Sequence, residues 1–233
     1  MNKSVKRLFV TLVMMCFVFN PVWSQDSTRI EFINDSDIPS DELQEASMRV
    51  MDKVNDFVRS LGKLTCSECG YSRETKKVIC ADALSLFMGE GNPYPVKLTD
   101  KDGNQRELTA PAVIMEFIQS KWNQRKFSKK TKDYLTSLSR NPVAGKQHVK
   151  IGMAKAARID NVNKTDDGLY VATVTIKLRT IRLNEGETQV LYSDDTEKTV
   201  EVYMQRVETP TATGTTRVQW IIKLGDIHAV SVE

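Results

Sequence analysis

The chain has 233 residues, of which 40% are hydrophobic and 27% charged, with 33 Lys+Arg against 30 Asp+Glu. Three of the basic residues, Lys3, Lys6 and Arg7, sit in the first seven positions. The body from residue 25 onward is therefore formally neutral, which removes the electrostatic case for a general nucleic-acid binder.

Behind the basic head, residues 8–19 (LFVTLVMMCFVF) form an apolar run, and Asn20-Pro21 breaks it. Twelve residues fall short of the roughly 20 that a spanning helix needs. A basic head, a short apolar run, a breaker and Val22-Trp23-Ser24 together predict an export signal cut after Ser24. Cys16 lies inside the apolar run rather than after a small residue, so no lipid anchor is expected. The product would be periplasmic or extracellular, with no membrane span. Residues 25–39 are a polar lead-in, and residues 40–233 are expected to form one domain.

Ser40 is placed to cap a helix, with Asp41 and Glu42 where the helix dipole favours acids. Leu43, Ala46, Val50, Met51, Val54, Phe57, Val58 and Leu61 recur every three or four positions, and Gly62 closes the pattern. After a cysteine loop, a shorter helix carries Val78, Ile79, Ala83, Leu86 and Phe87 and stops at Gly89. A hairpin follows over 94–99 and 105–109, turning at Asp102-Gly103. The same turn begins like a calcium loop, but positions six and twelve hold Gln105 and Pro111 rather than Gly and Glu, so the plain turn is preferred. Residues 112–122 lean to strand because they are rich in β-branched and aromatic side chains. Ser128 is placed to cap a third helix that ends before Asn141-Pro142.

From residue 147 onward the pattern alternates. Strands are expected over 147–160, 169–183, 199–208 and 217–224, with an extension over 227–232. An acidic turn (NEGETQVLYSDDTE) and a flexible TPTATGTT connection separate the later ones.

Three features carry candidate chemistry. Cys66, Cys69 and Cys80 remain once the leader is gone. In an oxidising compartment one disulfide is expected, Cys80 with Cys66 or Cys69, stapling the second helix to its preceding loop. Zinc would need a fourth ligand, for which Glu68 and Asp82 are poor matches, and His148 and His228 are remote in sequence. Lys121, Arg125, Lys126, Lys129, Lys130 and Lys132 open a basic stretch reaching Lys150, opposed only by Asp133. It is either a solvated helix face balanced by the acidic 185–201 segment or a docking stripe for an anion. Finally, with two histidines and no GxSxG elbow, acid–base catalysis would rest on His148 or on His228 beside Asp226.

The order helix, helix, hairpin or strand pair, helix, then long antiparallel strands resembles the NTF2-like superfamily, the cystatin-like α+β cone. The resemblance implies helices packed in a curved antiparallel sheet. Its members include isomerases, dehydratases and cyclases alongside binding domains that catalyse nothing, so it assigns no catalytic residue here. The expected function is that of an exported, non-catalytic protein of the cell envelope that binds a small molecule or a partner protein, without metal or cofactor. Pairing of two copies through the sheet is the oligomer such a fold would allow. The alternatives are an isomerase- or dehydratase-type enzyme using the cone cavity, and a metal or redox module centred on the cysteines.

Overall fold

The computed structural model describes residues 40–66, 69–99, 105–118, 125–140, 147–165, 169–184, 186, 188–211 and 214–230. The leader, the lead-in, the Asp102-Gly103 turn, Glu68, Lys121, Lys146, Glu185 and Glu187 lie outside them.

The chain runs α1 (Ser40–Thr65), α2 (Arg73–Ser85), a short turn Met88–Gly91, β1 (Tyr94–Thr99), β2 (Gln105–Ala110), β3 (Ile114–Ile118), β4 (Lys126–Lys130), α3 (Thr131–Arg140), β5 (Gln147–Lys164), β6 (Tyr170–Asn184), β7 (Val190–Pro210) and β8 (Thr216–Ala229). β1 and β2 form a separate hairpin. The other six strands form one sheet in the order β4-β3-β8-β7-β6-β5, antiparallel except where β3 runs parallel to β8. This is the expected α+β architecture, helices laid against one face of a large, mostly antiparallel sheet.

The helical period of α1 puts Ala46, Val50, Val54, Phe57, Val58, Leu61 and Leu64 on one buried face. They meet the alternate residues Tyr170, Ala172, Val174, Ile176 and Leu178 of β6 and Val200, Val202 and Met204 of β7 in a single apolar core. Phe57 packs edge-to-face on Phe87 with ring centres 5.1 Å apart. Arg206 of β7 pairs with Glu42 at 2.9 Å, fixing the start of α1 over the sheet.

Several local expectations need correction. Gly62 does not close α1, which continues to Thr65. A Cβ at Gly62 would lie 3.3 Å from the Ile151 carbonyl oxygen, so glycine here lets the helix approach β5. Helix α2 buries Lys76, Cys80 and Ala83, spaced i, i+4, i+7, and leaves Val78 60% exposed on the opposite side. Ser128 caps no helix: it lies in β4 opposite Glu116, and α3 starts at Thr131, whose amide donates to the Val113 carbonyl at 2.9 Å. The acidic turn is largely strand, since β7 begins at Val190 and carries Asp194, Asp195 and Glu197. The segments 217–224 and 227–232 are joined in one strand, β8, as far as Ala229.

Candidate functional site

Strand β8 changes face part-way along. Trp220, Ile222 and Leu224 point into the core at even positions, whereas Ile227 and Ala229 do so at odd ones. Val202 of β7 pairs with Leu224 and Val200 with Ile227, so β8 spends three residues where β7 spends two. This is a β-bulge at Gly225-Asp226. It turns Asp226 and His228 to the outer face, the side of the sheet away from the helices, where Glu201 and Tyr203 of β7 also point. Glu116 of β3 joins them, because Met115 beside it pairs inward with Ile227.

The groups are close. His228 Nε2 lies 3.3 Å from Glu201 Oε1, and His228 Nδ1 lies 3.6 Å from Glu116 Oε1. The Ala229 amide donates to Glu116 Oε2 at 3.2 Å, and the Ile114 amide donates to Asp226 Oδ1 at 2.9 Å. The Tyr203 hydroxyl donates to Glu201 Oε2 at 3.1 Å. Its ring lies across Gly225, where an added Cβ would come within 2.4 Å of the ring edge. One ligand atom each from Glu201, Asp226 and His228 lies within 4.8 Å of the others.

Burial pushes the phenols of Tyr203 and Tyr94 up, and the nearby carboxylates of Glu201 and Asp226 push both further in the same direction. Both hydroxyls therefore stay protonated near neutrality, and that of Tyr203 donates to Glu201. The cluster is a patch of negative potential, half-buried, with an imidazole set between two carboxylates.

On the packed side of β7, Lys198 is buried, its amine donating to the Glu116 carbonyl oxygen and lying 4.7 Å from the centre of the Phe117 ring. Burial draws its pKa down to about 8, against a weaker upward pull from Glu116. Phe117 stacks on Phe127 and contacts Tyr134, whose phenol burial pushes up to about 12.

The structure places the predicted site residues as follows. Lys126, Lys129 and Lys130 lie on β4, an edge strand exposed at every position, rather than on a helix face. Lys126 and Lys130 share the outer face with Glu116, which Lys126 reaches at 4.0 Å, while Lys129 and Phe127 take the other face. Arg125 is exposed just before the strand, and Lys132 in the first turn of α3 donates to Asn92 at 2.8 Å. Of the acidic segment, Asp195 pairs with Arg179 at 2.8 Å and Glu201 faces His228.

Cys66 pairs with Cys69, and Cys80 is a buried free thiol, so the expected staple to the second helix is absent. Cys80 is buried in the core with Ala83. Its thiol is pushed up by burial, partly offset by a hydrogen bond with Thr136. His148 is the second residue of β5, paired with Leu183, in the strand that closes the sheet at the edge opposite β4, whereas His228 lies on β8.

Glu116, Glu201, Tyr94 and Tyr203 escape sequence reasoning, since they come from three elements, β3, β7 and β1. One signal was present: the apolar parity of residues 220–229 switches at a glycine, which is how a bulge writes itself in sequence.

No protein-family profile matches the chain, and no curated protein matches it. Among solved structures it is similar to ActVI-ORFA from Streptomyces coelicolor, at 12% identity over 80% of this chain and 96% of that one, with a TM-score of 0.36.

Proposed function

We propose that this chain is an exported binding protein of the cell envelope, with an NTF2-like cone, that engages an anionic partner through the β4 edge without catalysing a reaction on it. The observation that carries this reading is the character of β4. Lys126, Phe127, Ser128, Lys129 and Lys130 are all exposed, and the strand ends the sheet with one row of backbone groups facing outward. Lys129 and Lys130 form no ion pair among the described residues, and Phe127 keeps 42% of its surface exposed among them. Cationic side chains with an aromatic platform on an open strand suit an acidic chain that adds backbone hydrogen bonds to charge attraction. The helix-facing side of the sheet supports a non-catalytic role, because Val174, Ile176, Val200, Val202 and Leu224 fill it with apolar packing against α1.

The test is calorimetric titration with dextran sulfate at low and physiological salt. Affinity should fall at least tenfold as the ionic strength rises, because exposed charges are screened beyond roughly 8 Å at 0.15 M. Lys126→Glu, Lys129→Glu and Lys130→Glu together should abolish binding; salt-independent binding, or binding that the triple variant retains, refutes the role of β4. Export is tested separately, by N-terminal sequencing of the protein from the envelope fraction, with Gln25 expected first.

A second reading, an isomerase- or dehydratase-type enzyme, has one observation in its favour. Lys198 is a desolvated amine beside aromatic side chains on the packed side of the sheet, an arrangement that suits base or carbonyl chemistry. Borohydride trapping of a carbonyl compound on Lys198 would favour it.

A further inference from the structure

The bulge cluster has three properties that an incidental group of surface acids lacks. The first is its mixed donor set, one imidazole with two carboxylates, whose ligand atoms already converge to within 4.8 Å. Bond lengths of roughly 2.0–2.2 Å place neighbouring ligand atoms about 3.3–3.6 Å apart in a tetrahedral site. His228 Nε2 and Glu201 Oε1 stand 3.3 Å apart. Asp226 uses Oδ1 to accept the Ile114 amide, which leaves Oδ2 to turn inward.

The second property is what stands behind the imidazole. Glu116 faces His228 Nδ1, and its other oxygen is tied to the amide of Ala229, the residue after that histidine. A carboxylate behind one ring nitrogen holds the proton there and leaves the lone pair of the other nitrogen for a metal. The third is charge. Neither Glu201 nor Asp226 pairs with Lys or Arg among the described residues, and Lys126, the cation of the neighbourhood, stands 4.0 Å from Glu116 instead.

We propose that Glu201, Asp226 and His228 bind a divalent transition-metal ion, zinc by ligand chemistry, on the outer face of the sheet, with Glu116 as the positioning residue behind His228. Imidazole favours this class over calcium and magnesium, which take oxygen ligands. Three protein ligands leave a fourth position, and the side chains of His228 and Glu201, 37% and 34% exposed, keep it open to water or a small anion. The proposal is independent of the β4 reading, and either can fail alone.

The experiment is zinc titration of the intact protein, its Cys66–Cys69 pair oxidised, by calorimetry, followed by X-ray absorption of the loaded sample. One ion per chain is expected, with nitrogen and oxygen neighbours and no sulfur. Glu201→Gln keeps the shape of the side chain and should weaken binding at least tenfold, as should His228→Ala. Glu116→Gln, which touches no metal, should weaken it by about 10–100-fold. Zinc should raise the melting temperature of the parent protein but not that of Glu201→Gln. No uptake at micromolar zinc, sulfur in the first shell, or an affinity unchanged in both Glu201→Gln and His228→Ala overturns the assignment.

Discussion

Lys198 carries its amine on the packed side of β7, and its burial has a measurable consequence. The pKa is about 8 in the folded protein against an ordinary 10.5. Between those values the unfolded chain holds the extra proton, so stability from this site rises with pH from about 8 toward 10.5, by at most about 1.4 kcal/mol per pH unit. Below pH 8 the amine is charged in both states and its burial cost is fully present. Urea unfolding of the parent protein and of Lys198→Met across pH 7 to 10 checks this. The parent should gain on the variant between pH 8 and 10; a constant difference would show that Lys198 is solvated. Tyr134 titrates at the top of this range with the opposite sign, but it is common to both proteins and cancels. Nothing local in the sequence marks Lys198 as buried. It falls in an acidic stretch, and only the pairing of β7 with β6 and β8 fixes which way it points.

The cysteine loop shows how an element can be predicted and its cross-link missed. A Cys66–Cys80 bond would close 15 residues and contribute about 3 kcal/mol, whereas Cys66–Cys69 closes four and contributes about 2 kcal/mol. The longer bond is the better staple on entropy alone. Geometry decides otherwise: α2 follows its own stripe of Lys76, Cys80 and Ala83 and takes the Cys80 thiol into the core. Thiol counting on the protein cut after Ser24 should find one group per chain after unfolding without reductant, and peptide mapping should join Cys66 to Cys69. A peptide joining Cys80 to either partner would contradict this. The long strands were legible for a different reason: the period-two burial of Tyr170 to Leu178 is written directly in residue type. Strand β7 was legible only from residue 199, because Ser193, Asp194 and Asp195 have turn-forming side chains. Pairing overrides that preference, with Asp195 opposite Arg179 and bonded to it.

At the scale of the whole molecule, the fold sorts most of its side chains by the face of the sheet, with Lys198 the charged group held on the packed side. The helical face of the sheet holds the apolar core, and the outer face and the β4 edge hold the converging ionisable groups. Element order and the core were readable in the sequence because periodicity is a local property. The bulge cluster was not, because Glu116 meets Glu201 and Asp226 only after β3 from mid-chain joins the C-terminal pair β7 and β8 in the sheet. The proposed binding surfaces are therefore the outer face of the sheet and the β4 edge rather than the space between sheet and helices. Titration of isotope-labelled protein with dextran sulfate, followed by NMR of backbone amides and side-chain methyls together, tests this most directly. Shifts should concentrate in the amides of Lys126–Lys130 and the start of α3, leaving the methyls of Val174, Ile176, Val200, Val202 and Leu224 in place. Movement of those inner methyls with β4 unaffected would contradict it.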